Sequence, residues 1–420
     1  MPTGLDPGDT SFVLISAALV MLMTPGLAFF YGGMVRVKSV LNMLLMSFIS
    51  LGIVSVLWAA YGYSLTFGDD VGGHGLIGGL SHAGMRGITD STLTGSIPVF
   101  AFAAFQLMFA IITPALISGA IADRAKFGAW MLFIALWVTV VYFPVAHWVW
   151  QSGGWIFKLG VKDFAGGTAV HINAGMAALG ALLVLGKRVG FKQELMRPHS
   201  LPFVMLGSGL LWFGWFGFNA GSALAANGTA SVALFNTQVA AGAAMMGWLI
   251  WERVRKGRFT SLGAASGAVA GLVAITPACV AVNTWGAIAI GVIAGLVCAW
   301  AVNLKDRLGY DDSLDVVGVH AVGGLVGTLL IGVFDITDGL VAGAGAGQLE
   351  KQAVGAFAVA AYSLVMSGLL AMVIEMTVGF RVRRQDEVVG IDHVVHAETA
   401  YDFTTTKQEV ELAMPGSHRY

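Results

Sequence analysis

Runs of about 20 apolar residues follow one another along this chain, parted by short charged segments, and nothing else in it constrains the fold as tightly. A helix needs about 20 residues to cross roughly 30 Å of hydrocarbon, where every backbone amide must find its partner inside the protein. About eleven such runs can be read, near 11–33, 40–66, 97–121, 127–148, 165–186, 201–222, 232–251, 261–280, 285–303, 316–336 and 353–380. Only 11% of the residues are charged, against roughly 25% in a soluble domain. The fold class expected is an all-α polytopic membrane protein of about eleven transmembrane helices. The net charge of −1 gives no reason to expect a nucleic acid partner, because charge in such a chain is sorted by loop.

The loops fall into two alternating sets. One carries Arg36 and Lys38; Arg124 and Lys126; Lys187, Arg188, Lys192 and Arg197; Arg253, Arg255, Lys256 and Arg258; Lys305 and Arg307; Arg381, Arg383 and Arg384. The other holds only Arg86, Lys158, Lys162 and Lys351. Basic residues mark the cytoplasmic side, so the N-terminus is expected outside and the C-terminus inside. Met1 to Thr10 lacks the basic segment of a signal peptide, and the first apolar run, continuing to Gly33, is too long for one. Glycine supplies 57 of 420 residues, about twice the usual share of roughly 7%. Spacings of four, as at Gly263, Gly267 and Gly271, let helix backbones approach closely and predict a compact bundle. Cys279 and Cys298 lie in apolar runs and read as small hydrophobic residues, with no disulfide or metal site expected.

Two histidines stand inside the apolar runs. His171 ends Asp163-Phe-Ala-Gly-Gly-Thr-Ala-Val-His171, and His320 ends Asp315-Val-Val-Gly-Val-His320. An ionisable ring in hydrocarbon is costly and points to a substrate or proton path. Burial disfavours the charged imidazole, so two neutral rings could share a proton and hydrogen-bond a small polar solute. Each segment has an acid upstream, Val just before His, and Gly four residues after it (Gly175, Gly324). The two fall in spans five and ten, which suggests a 5+5 inverted repeat plus one extra helix, with the site at the repeat interface. Span counting sets His171 nearer the outer end and His320 nearer the inner end, so spacing does not bring them together.

Aromatic residues cluster in spans three and six. Phe105 and Phe109 share a helix face at i, i+4, and span six reads Gly214-Trp215-Phe216-Gly217-Phe218-Asn219-Ala220-Gly221-Ser222. Trp150 falls where interfacial belt tryptophans are common, and spacing alone does not separate it from them. These segments, with Phe29-Phe-Tyr-Gly-Gly-Met-Val-Arg36 and Thr276-Pro-Ala-Cys279, resemble in order the signatures of the ammonium transporter family (Amt/Mep/Rh), and its bacterial Amt branch above all. The resemblance runs from about residue 20 to 400 and implies that ammonium or ammonia crosses the cell membrane through this chain. It implies a recruitment site at Trp150, Ser222 and Phe109, a gate of Phe109 and Phe218, and a conduit lined by His171, His320 and Trp215. Asp163 is implied as a supporting acid rather than a ligand. The loop Gln151-Ser-Gly-Gly154 is longer than the shortest family versions, which could shift the outer vestibule.

The resemblance further implies a homotrimer with one conduit per subunit. Gly390-Ile-Asp-His-Val-Val-His-Ala-Glu-Thr-Ala-Tyr401 resembles the cytoplasmic segment through which the family answers PII-type signal proteins. The division expected is a conducting domain over 1–384 and a regulatory tail over 385–420, polar and without fixed structure beyond about residue 403. No cofactor and no catalytic residues are expected. An intramembrane hydrolase would need a nucleophile motif or metal ligands that the sequence lacks. A sensor should carry a fused output domain, for which a tail of about 36 residues after Arg384 leaves no room.

Overall fold

The computed structural model describes residues 4–401. Eleven helical segments follow in the expected order: α1 Pro7–Met34, α2 Val37–Phe67, α3 Val99–Ile121, α4 Phe127–Leu159 (broken at 151–154), α5 Gly167–Leu185, α6 Leu201–Gly221, α7 Gly228–Lys256, α8 Ser261–Ile275, α9 Thr284–Leu308, α10 Val317–Phe334 and α11 Gly347–Thr377. Ten of them are long and apolar enough to cross a membrane. The exception is α8, with 15 residues. The sequence predicts a span over 261–280, but the helix stops before Thr276-Pro277, because proline disfavours helical geometry in the residue before it. Starts are set by side-chain caps: Asp6 accepts from the Asp9 amide, Asn227 from Ala230, Thr260 from Gly263 and Asn283 from Gly286.

The alternating loops gather at two ends. At the basic end, Asp123 binds both Arg36 and Arg188 at 3.2 Å, and Arg188 also forks onto Asp311 through Nε (2.9 Å) and Nη2 (2.8 Å). Arg381 donates to the Leu185 carbonyl there, closing the foot of α11 onto the foot of α5. At the opposite end a short hairpin, β1 Leu93–Thr94 and β2 Ile97–Pro98, packs near the start of α1, and Lys162 binds Asp335 at 2.6 Å. The tail residues described fold back on the basic end. Helix α12, Arg384–Val389, precedes a π turn, Asp392–His396, whose Asp392 accepts from the Leu41 and Asn42 amides at 2.9 and 2.8 Å. The remainder of the tail expected over 385–420, including the part beyond 403, lies outside the described residues.

Helix α1 packs along α6, and α5 along α11, while α7 is flanked by α8 and α9. The opening turn of α5 meets that of α10. These two run antiparallel, the first half of α5 lying against the first two thirds of α10: Thr168 lies 3.4 Å from Thr328 between hydroxyls, and His171 faces His320. Close approach at this crossing depends on the glycines four residues beyond each histidine. A Cβ on Gly175 would stand 2.3 Å from the Ala321 nitrogen, and one on Gly324 2.9 Å from the Gly167 carbonyl oxygen. Neither distance is tolerable, so the helices would part. Overpacking of this kind costs about 1–3 kcal/mol. Gly175→Val is therefore expected to lower the thermal unfolding midpoint in detergent by several degrees, whereas Gly209→Ala, with nothing within 4 Å of the added carbon, should leave it unchanged or raise it.

Candidate functional site

Both histidines occupy π-helical turns, His171 in Gly167–Ile172 and His320 in Val317–Ala321. Turns of this kind are uncommon and recur at functional sites. Span counting put the rings at opposite ends, but each sits in the first turn of a helix that begins inside the bundle, so they meet at one level. The Nδ1 atoms are 3.3 Å apart and the rings stack at 5.4 Å between centroids. One ring donates and the other accepts. His171 Nε2 is buried with no partner among the described residues.

A backbone cannot begin a helix in an apolar interior without acceptors for its first amides. Asp163 supplies them to α5. One oxygen accepts from Gly166 (2.8 Å) and Gly167 (2.7 Å), the other from Thr168 (2.9 Å) and Ala169 (3.0 Å). Asp312 does the same for α10, accepting from Val316 (3.1 Å) and Val317 (2.7 Å). Burial raises the pKa of Asp163, against the pull of its four amide donors. Burial likewise pushes Asp312 up to about 6, with Lys305 pulling the other way. The acid facing His320 across its turn in sequence, Asp315, is instead paired with Lys305 at 2.5 Å.

Above the histidines the aromatic rings form a column. Trp150 meets Phe109 edge-on at 5.9 Å, Phe109 lies over Phe218 at 4.2 Å, and Phe218 is 6.0 Å from His171. Phe105 packs against Phe109 at 4.9 Å. Trp215 stacks on His171 at 5.4 Å and is fixed by its Nε1–H bond to the Thr276 hydroxyl at 2.8 Å. Trp150 is no free belt residue, since its Nε1–H donates to the Asp163 carbonyl at 3.0 Å. Ser222 joins through the backbone: its hydroxyl donates to the Phe218 carbonyl at 2.8 Å, leaving its oxygen able to accept from another donor. Between Phe218 and His320 a cavity of about 10 Å³ is walled by Leu27, Ile112, Leu211, Trp215 and Val269. That is about the least that holds one water. A hydrated ion does not fit. Among the described residues, no group of three or more His, Cys, Asp or Glu is placed to hold a metal.

The ammonium transporter family model matches residues 11–401. The chain belongs to that family. It is 57% identical to an ammonium transporter of Mycobacterium bovis over 96% of this chain and 92% of the relative, and 45% identical to that of Bacillus subtilis over 94% and 98%. Its fold is similar to the crystal structure of Saccharomyces cerevisiae Mep2, with TM-score 0.84 and 36% identity over 91% of this chain and 88% of that one. A solved sensor Amt protein is also similar, with TM-score 0.86 and 29% identity over 93% and 98%. This family member is thus a multi-pass membrane transporter of ammonium rather than an enzyme.

Of the residues the sequence singled out, Trp150, Phe109, Phe218, His171, His320 and Trp215 form one contiguous column, Ser222 reaches it through Phe218, and Asp163 stands behind it on the backbone of α5. Sequence reading missed Asp312 and Thr276. Asp312 had a signal: it precedes His320 by eight residues, as Asp163 precedes His171. Thr276 stood in the Thr276-Pro-Ala-Cys279 segment, but nothing in the spacing showed that it holds Trp215 across helices. Leaving a buried donor without a partner costs about 1–3 kcal/mol. Asp163→Ala strands four amides and Asp312→Ala two, so thermal unfolding in detergent should show the larger loss for Asp163→Ala. The reverse order would mean that the caps do not hold the two helix starts.

Proposed function

We propose that ammonium is recruited at Trp150, Ser222 and Phe109, gives up its proton at the Phe109–Phe218 gate, and passes as ammonia along His171, His320 and Trp215. The loop charges support an orientation with Trp150 outside and the basic end in the cytoplasm. A compact cation gains roughly 0.5–2 kcal/mol on an aromatic face, depending on desolvation, and the Ser222 oxygen offers it an acceptor. Below the gate the walls are apolar, and an ion would have to leave water without compensation. Potassium is close to ammonium in size and charge but has no proton to lose. The deprotonation step therefore supplies the selectivity.

The observation that carries this reading is the unbroken column from Trp150 to His320, ending in a cavity too small for a hydrated ion. Two neutral imidazoles in contact can hydrogen-bond ammonia in either direction and can relay a proton between them. The conducting unit is residues 1–384, and residues 385–420 are the regulatory tail that a PII-type signal protein would meet at the cytoplasmic face. The assembly proposed is a homotrimer with one conduit in each chain, which a size measurement in detergent tests.

Radiolabelled methylammonium uptake checks the conduit. His171→Ala and His320→Ala each strip a buried hydrogen-bonding group from the path and should cut uptake by about tenfold or more. Undiminished uptake that stays selective against potassium in both variants would overturn the role of the pair. Flux-linked current in proteoliposomes distinguishes passage of ammonia alone from passage with its proton. A second reading, sensing, draws on the similarity to the sensor Amt protein. It predicts substrate binding with negligible flux in the same vesicles.

A further inference from the structure

At the basic end, the loop after α5 and the start of the tail enclose an open hollow of about 460 Å³ lined by Lys187, Arg188, Phe191, Gln193, Arg381 and Arg384. None of its lining side chains is acidic. Arg188 is already neutralised by Asp311 and Asp123. Arg381 spends one Nη on the Leu185 carbonyl (2.8 Å) and the other on Glu387 (2.9 Å), but its Nε–H is buried without an acceptor among the described residues. Lys187 and Arg384 are exposed and in no ion pair among the described residues, Lys187 standing 6.0 Å from the Phe191 ring. Two uncompensated cations thus stand on one concave surface lined by no acid. Lone surface charges are ordinary, but a concave wall carrying charge of one sign concentrates counter-ions.

We propose that this hollow binds a phosphate group, with Lys187 and Arg384 as its donors. Arginine forks match phosphate oxygens, and charge-assisted bonds to them are about twice as strong as neutral ones. The feet of α5 and α11 flank the hollow, so the phosphate comes either from an anionic lipid headgroup or from solution. Bound there, it bridges the α5–α6 loop to α12, two segments already joined by the bond from the Val189 amide to Glu387 (2.6 Å). Glu194, whose carboxyl lies against Gly190 at the rim, opposes an anion and should weaken the site.

The test uses the full-length protein. Equilibrium dialysis with radiolabelled inorganic phosphate at constant ionic strength measures the soluble source. Native mass spectrometry after reconstitution in phosphatidylcholine with phosphatidylglycerol measures the lipid source. Combined Lys187→Gln and Arg384→Gln should weaken whichever probe binds by about tenfold or more, while Lys187→Arg with Arg384→Lys should retain it and Glu194→Gln should tighten it. Methylammonium uptake by the Gln variants reports that they fold. Phosphate binding alone assigns a soluble anion, and retention of phosphatidylglycerol alone assigns a lipid. Binding of neither probe, or equal binding by wild type and the double Gln variant, overturns the proposal. Should the double variant fail to fold, unchanged binding by Glu194→Gln would count against the site.

Discussion

An amide left without an acceptor in an apolar interior costs about 1–3 kcal/mol, and the column of rings depends on how that cost is met at two helix starts. Helices α5 and α10 begin within the bundle, where water cannot satisfy their first amides. Asp163 takes four of them and Asp312 two. With those carboxylates in place the two helices can start at depth, lie against each other and cross on Gly175 and Gly324. His171 and His320 then meet at 3.3 Å. Asp163 also holds Trp150 through its carbonyl, and the two acids set where the column stands.

Much of the fold was legible because hydrocarbon imposes a length on every span and charge sorts the loops. Ten of the runs are helices long and apolar enough to cross, and the loops meet at two ends in the alternation their charges predict. The run at 261–280 misled because apolarity continues past Ile275 while the proline at 277 ends the helix. The aromatic column was legible only in part. Phe105 and Phe109 follow from i, i+4 spacing, but the stacking of Phe109 on Phe218 joins different helices. The histidine contact was hidden for a further reason: counting residues from the ends of a run assumes that the helix fills it. Here the chain enters the bundle without helical structure at Asp163 and turns helical only at Gly167. The choice of Asp315 over Asp312 as the partner of Asp163 followed from nearness in sequence, whereas the spacing of eight residues was the better guide.

The basic end is joined to the column by contact. Glu387 of the tail holds the Val189 amide, Arg188 beside it forks onto Asp311, and Asp312, next in sequence, caps the turn that carries His320. Buried ion pairs are weak contributors to stability but are strongly disfavoured when one partner is removed. Asp123, shared by Arg36 and Arg188, gives that cluster a fixed geometry across three loops. The tail and the column thus share a frame, and the basic hollow lies against it.

The π turns around the two histidines have a consequence for how the site is encoded. A π turn holds one residue more than an α turn, and each residue of an α-helix advances about 100° around the axis. Deleting a single small residue from Gly167–Ile172 or Val317–Ala321 would leave every aromatic and both imidazoles in the chain, yet swing one ring out of line with the other. The alignment of the column is written in phase as much as in residue type, so a comparison of chains that matched only the identities would miss its loss.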